Sequence, residues 1–164
     1  MNDKVAAPEV KNARPYDVSP TGRYAEFMRT GWAPSNLEGL QPLEVVTYAF
    51  TRRQVLSAAF ANIRIVIPAG NYKTRSNDTE YVFRPHSAFA FYAGVQGADA
   101  VPDSVLIMEP NESGGHDSYL YLHPRSTRES DAFYTDRKYG ELWVGRHFTL
   151  DEANTVYQIQ TRDV

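Results

Sequence analysis

Two stretches carry residue types that could do chemistry. The first is KTRSNDTEYVFRPHSAFAFYAG, Lys73 to Gly94, which packs Arg75, Ser76, Asn77 and Asp78 into consecutive positions and then turns aromatic. A carboxylate on a rigid loop can recognise a cation such as a peptide amine, so Asp78 is a candidate contact. The competing reading is a turn in which Asn77 and Asp78 bond their own backbone, with Arg84 paired to a carboxylate to hold the loop. The second stretch is YGELWVGRH, where Tyr139, Trp143 and Arg146 stand beside two glycines. Trp and Arg are the side chains most often found as interface anchors, and plain core packing for Trp143 is the alternative.

Other chemistry finds little footing. Cysteine is absent, which excludes disulfides, thiolate metal sites and a Cys nucleophile. His116 and His123 fall on opposite sides of an ideal strand, no H-E-x-x-H pair occurs, and Asp78, Asp99 and Asp136 are dispersed. His86 has no partner one helical turn on. Ser76 and Ser87 lie near His86 but in no G-x-S-x-G elbow, and a triad would also need an orienting carboxylate and an oxyanion hole. GVQGADA lacks the spacing and the lysine of a phosphate-binding loop. At a net charge of -3 there is no basic face for nucleic acid. No apolar run approaches the roughly 20 residues that span a bilayer, and the N-terminus has no signal-peptide core. The expectation is a soluble, cytoplasmic chain with no nucleic-acid or membrane partner.

The 164 residues fit one domain. Residues 1–20 are polar, carry Pro8, Pro15 and Pro20, and read as a flexible arm; 21–164 read as the folded part. A helix is predicted with Tyr24, Phe27 and Met28 on one face, Ser19 or Thr21 as cap and Gly31 as stop. A second, of about four turns, covers LEVVTYAFTRRQVLSAAFA, with Arg52 and Arg53 exposed. IRIVIPAG and DSVLIMEP read as buried strands. YVFRP with SAFAFYAG reads as a strand region with Phe89 and Phe91 alternating. NESGGHD makes a hairpin into SYLYLHP, which has two unlike faces. RSTRESDAFYTDRKYG is charged loop or short helix, ELWVGR a short strand or turn. Thr149 and Glu152 form a capping-box pattern at a last helix. YQIQTRDV does not read as a finished domain end, so a longer protein is expected.

The order of these features, from RRQVL through IVIPAG, TRSNDTEYVFRPHSAFAFYAG and YLHPRSTRES to DRKYGELWVGR, resembles the N-terminal domain of Xaa-Pro aminopeptidase (aminopeptidase P) over about Val45 to Leu150. The arm and EFMRTGWAP resemble the actinobacterial form. The resemblance implies an α/β fold with a mixed, mainly six-stranded sheet flanked by helices, as in the creatinase N-terminal domain. It also implies a second, pita-bread domain in which Asp, Asp, His, Glu and Glu side chains bridge two divalent metals, usually manganese. Those metals activate water for attack on the bond before proline. None of the five ligand motifs is present in this sequence. By the resemblance this chain is the non-catalytic domain, and it shapes substrate access and supports a homo-oligomer. Asp78 would then lie near the entrance for a peptide with proline second, Trp143 would wall the pocket for its first residue, and Arg75 and Arg146 would support these loops by charge-assisted hydrogen bonds. FAFYAGVQGADAVPDS departs from the plainer turn of the family. Two alternatives share the fold: a protein-binding pseudo-peptidase module, and the corresponding domain of a prolidase.

Overall fold

The computed structural model describes residues 22–33, 37–77 and 79–164. The arm, the helix-cap candidates Ser19 and Thr21, and Asp78 lie outside the described residues. The chain forms two compact units that divide after Trp32. In the first, α1 spans Gly22–Arg29. Gly31 takes φ 81°, a left-handed value that stops the helix, and the Trp32 indole N–H donates to the Met28 carbonyl at 2.7 Å.

The second unit is built on a four-stranded sheet. Its strands are β1 (Ile65–Pro68), β4 (Val105–Pro110), β5 (His116–Leu122) and β6 (Gln160–Asp163), in the order β1-β4-β5-β6. β1/β4 and β4/β5 are antiparallel, and β5/β6 is parallel. A separate two-stranded hairpin joins β2 (Thr74–Ser76) to β3 (Thr79–Glu80). The expected six-stranded sheet is not found among the described residues, where a mixed sheet of four strands and a separate hairpin of two stand instead. Between β4 and β5, Asn111 closes the turn: its Oδ1 accepts from Gly115 N–H, and Gly114 takes φ 80°.

One face of the sheet makes the core. Register aligns Ile67 with Leu106 and Leu106 with Leu120. These apolar side chains pack with Phe89 and Ala93 of α3 (Ser87–Ala93) and with Ala153, Val156 and Tyr157 of α6 (Leu150–Tyr157). Period-two alternation turns Tyr119 and Tyr121 to the other face, where Arg162 of β6 lies 3.9 Å from the Tyr119 ring centroid. A parallel β5/β6 pair needs a crossover. It contains α4 (Ala132–Thr135), α5 (Glu141–Val144) and α6, and α6 opens on the expected Thr149/Glu152 capping box.

Three expectations are corrected. SAFAFYAG is a helix, not a strand: His86 caps α3 by accepting from Ala88 N–H, and Gly94, at φ 75°, ends it. Phe89 is fully buried while Phe91 is 48% exposed, so two aromatics spaced by two positions fitted a helix edge as well as a pleat. ELWV is likewise a single helical turn, α5, stopped by Gly145 at φ 82°. Arg53 is not exposed; it is 4% accessible. α2 (Val45–Ala59) buries a narrow stripe of Ala49, Arg53 and Ser57 and leaves Tyr48, Phe50 and Val55 outside. The last carbonyls of a helix lack internal partners, and the two arginines of α2 supply them. Arg52 donates to Phe91 O at 3.1 Å and Arg53 to Tyr92 O at 2.8 Å. At the other end of the stripe Ser57 Oγ lies 2.8 Å from His116 Nδ1, while His116 Nε2 lies 2.8 Å from Ile63 O. A carbonyl only accepts, so Nε2 carries the proton and Ser57 donates to Nδ1.

Candidate functional site

The two stretches singled out from the sequence have their roots at one end of the sheet, where β1 and β5 finish and β4 begins. There the β1/β4 pairing continues past the strand ends: Ala69 N–H donates to Ser104 O at 2.7 Å, and Asp103 N–H to Gly70 O at 2.8 Å. The chain then runs through Asn71, Tyr72 and Lys73 into β2. Tyr81 N–H returns to Lys73 O at 3.0 Å and closes the base of the hairpin. Asn77, at φ 44°, follows β2 directly and leaves the strand in a left-handed conformation. The described part of the polar knot, Arg75 to Asn77, thus runs along β2 and out of it. Arg84 is exposed and forms no ion pair with a hairpin carboxylate among the described residues.

The second stretch is shaped by a tight turn. Asp136 Oδ1 accepts the backbone N–H groups of Lys138 and Tyr139 at 2.8 and 3.0 Å. A Cβ at Gly140 would lie under 3.0 Å from the carbonyl oxygens of Ala132, Phe133 and Asp136, so only glycine fits. α5 starts immediately after it. Trp143 is 53% exposed, yet its indole N–H donates to Tyr134 O at 2.8 Å and the Arg137 guanidinium lies 5.3 Å from its ring centroid. The cation over the indole is therefore Arg137. Arg146 is exposed just beyond Gly145.

Asp103 connects the two. Its Oδ2 accepts from Lys138 Nζ at 2.5 Å and from Tyr139 Oη at 2.6 Å. His123, at the end of β5, stacks on Tyr139 with ring centroids 3.9 Å apart. Partial burial alone would raise the Asp103 pKa, but hydrogen bonds from Lys138 and Tyr139 and the nearby positive charge outweigh it and hold the carboxyl below its ordinary range. Partial burial would lower Lys138; its bonds to Asp103 and Tyr139 raise it instead. Burial, reinforced by the Asp103 carboxylate, pushes Tyr139 up to about 12. Tyr72, at the hairpin root, is raised by burial and by Glu80, with Lys138 opposing. The hairpin root and the Lys138 segment thus lie within electrostatic reach of each other.

Of the residues expected to act, Arg75 is exposed on β2, Trp143 and Arg146 are exposed at and after α5, and Asp78 lies outside the described residues. No hydrogen bond or ion pair joins Arg75 to Trp143. Sequence reasoning missed Asp103, Lys138 and His123. Asp103 stands 35 and 36 positions from its two donors, a separation that carries no local signal. Among the described residues no three His, Cys, Asp or Glu side chains group closely enough to hold a metal ion. The described residues therefore offer no donor set for a two-metal centre.

A family model described as the aminopeptidase P N-terminal domain matches residues 48–163. Xaa-Pro aminopeptidase 1 of Streptomyces coelicolor is 49% identical over 140 residues, covering 85% of this chain and 27% of that protein. Xaa-Pro aminopeptidase 2 of the same organism is 41% identical over 157 residues, covering 94% and 32%. Aminopeptidase P from E. coli, in its low-pH form, superposes with a TM-score of 0.56 at 23% identity over 72% of this chain and 24% of that one. Proline aminopeptidase P II from Yersinia pestis gives 0.56 at 27% identity over 73% and 24%. The chain spans about a quarter to a third of the length of these relatives. It belongs to the aminopeptidase P N-terminal domain family.

Proposed function

We propose that this chain serves a Xaa-Pro aminopeptidase as its non-catalytic N-terminal domain, placing the β2–β3 hairpin and the Trp143 turn at the entrance for peptides with proline second. The whole protein removes the residue before that proline. Its second domain would bind two divalent metals, manganese by the resemblance, which supply an activated water; no step of that chemistry runs through the residues described above. Asp78 would receive the peptide's free amino group. Trp143 would wall the first-residue pocket, with Arg75 and Arg146 supporting the two loops. The reading includes a homo-oligomer of the full-length polypeptide, supported by large apolar side chains such as Tyr48 and Val55 left exposed on α2.

One observation carries the proposal. Trp143 is a large aromatic held outside the core, yet pinned by a hydrogen bond and a cation. A side chain fixed in place while exposed is prepared for contact. The test is Trp143→Ala in the full-length polypeptide. KM for proline-second peptides should rise, by about tenfold for an aromatic contact worth 1.4 kcal/mol, with metal content intact. Unchanged kinetics would remove Trp143 from the entrance.

A further inference from the structure

The geometry points to Asp103 as the positioning residue that holds the hairpin and the Trp143 turn as one unit. The inference rests on the entrance reading above and adds the residue that sets the entrance's shape. Asp103 bonds in both directions. Its backbone N–H holds Gly70 O, at the root of the segment that leads into the hairpin. Its carboxylate holds Lys138 and Tyr139, which immediately precede Gly140 and α5. Both donors converge on the same oxygen, so Lys138 and Tyr139 are fixed relative to each other as well as to the sheet.

The link to Trp143 has little slack. Gly140 is jammed against three backbone carbonyls. Trp143 N–H donates to Gly140 O at 3.0 Å, and the indole is tied back to Tyr134. His123 closes the far side of Tyr139, so the tyrosine cannot swing away from Asp103 without losing a stacking partner. The backbone at Asp103 takes φ 61°, a left-handed conformation that Asp and Asn tolerate better than other side chains with a Cβ. A residue held in that region at a junction of two loops is where a strained backbone and a carboxylate serve one purpose.

That conformation also supplies the clean test. Asp103→Asn keeps the left-handed backbone and the side-chain shape while removing the charge that draws Lys138. Lys138→Met breaks the same contact from the other side and leaves residue 103 untouched. In this chain, with Trp32→Phe to leave one indole, both variants should speed hydrogen exchange of the Trp143 indole N–H by about tenfold, the change expected on losing one charge-assisted bond. In the full-length polypeptide both should raise KM for proline-second peptides several-fold while kcat moves much less. Neither should add to the KM effect of Trp143→Ala, because residues acting through one contact are not additive. Exchange that stays at the parent rate in both folded variants would overturn the positioning role. If Trp143→Ala raises KM and Asp103→Asn and Lys138→Met do not, Asp103 does not set the entrance. If Trp143→Ala itself leaves KM unchanged, the entrance reading falls, and the inference with it.

Discussion

The buried guanidinium of Arg53 gives the sharpest test of how the domain is held together. Burial lowers its pKa from the ordinary guanidinium range to about 10, which costs the charged form about 3 kcal/mol. Against this stand the bond to Tyr92 O at the end of α3 and the favourable position of a cation at a helix C-terminus. A hydrogen bond from a charged donor contributes about 1.5–3 kcal/mol, so the charge and the cap nearly cancel. What remains is the packing of the side-chain stem between α2 and α3. Arg53→Met keeps most of that stem, removes the charge and leaves one carbonyl without its donor; it should cost no more than about 1–2 kcal/mol. Arg53→Ala also opens a cavity and should cost about 3 kcal/mol, lowering Tm by about 6–12 °C. Urea melts of the two variants and the parent read the difference directly. If Arg53→Met falls as far as Arg53→Ala, the hydrogen bond and not the packing dominates, and the cancellation argued here is wrong.

Gly140→Ala should destabilise by about 1–3 kcal/mol, since its methyl group meets three backbone carbonyls; thermal melts check this, and a neutral outcome would mean that the turn opens easily. His147 is 6% accessible, and burial lowers its pKa while Asp99 and Glu141 oppose. With a folded pKa below the unfolded value of 6.5, its stability contribution is complete above pH 6.5 and is lost as pH falls toward the folded pKa. The decline in melting temperature from pH 7.5 to 5 should therefore flatten in His147→Gln, and an identical decline in both proteins would refute it.

Local signals made much of this fold legible. A β-branched run marked β1, an apolar run closed by Pro110 marked β4, Gly114 marked the hairpin from β4 to β5, and Thr149 with Glu152 marked the start of α6. What stayed hidden depends on contacts distant in sequence. Arg53 looks exposed until its partner carbonyl, 39 residues away, is known. α3 is capped by His86 instead of Ser, Thr, Asp or Asn, and spans too few residues for a period to declare itself. β6 reads QTRD, a polar edge strand with no hydrophobic pattern. At the candidate site, Arg75, Trp143 and Arg146 stood out by residue type, whereas Asp103 joins their segments only through tertiary geometry.

A direct assay bears most immediately on the division of labour proposed for this family member. The purified chain and the full-length polypeptide are each given manganese and a peptide with proline second, and release of the first residue is followed. Turnover is expected from the full-length polypeptide alone, with the chain no faster than a protein-free control. Sustained release by the chain alone would place the chemistry within these 164 residues and contradict the account.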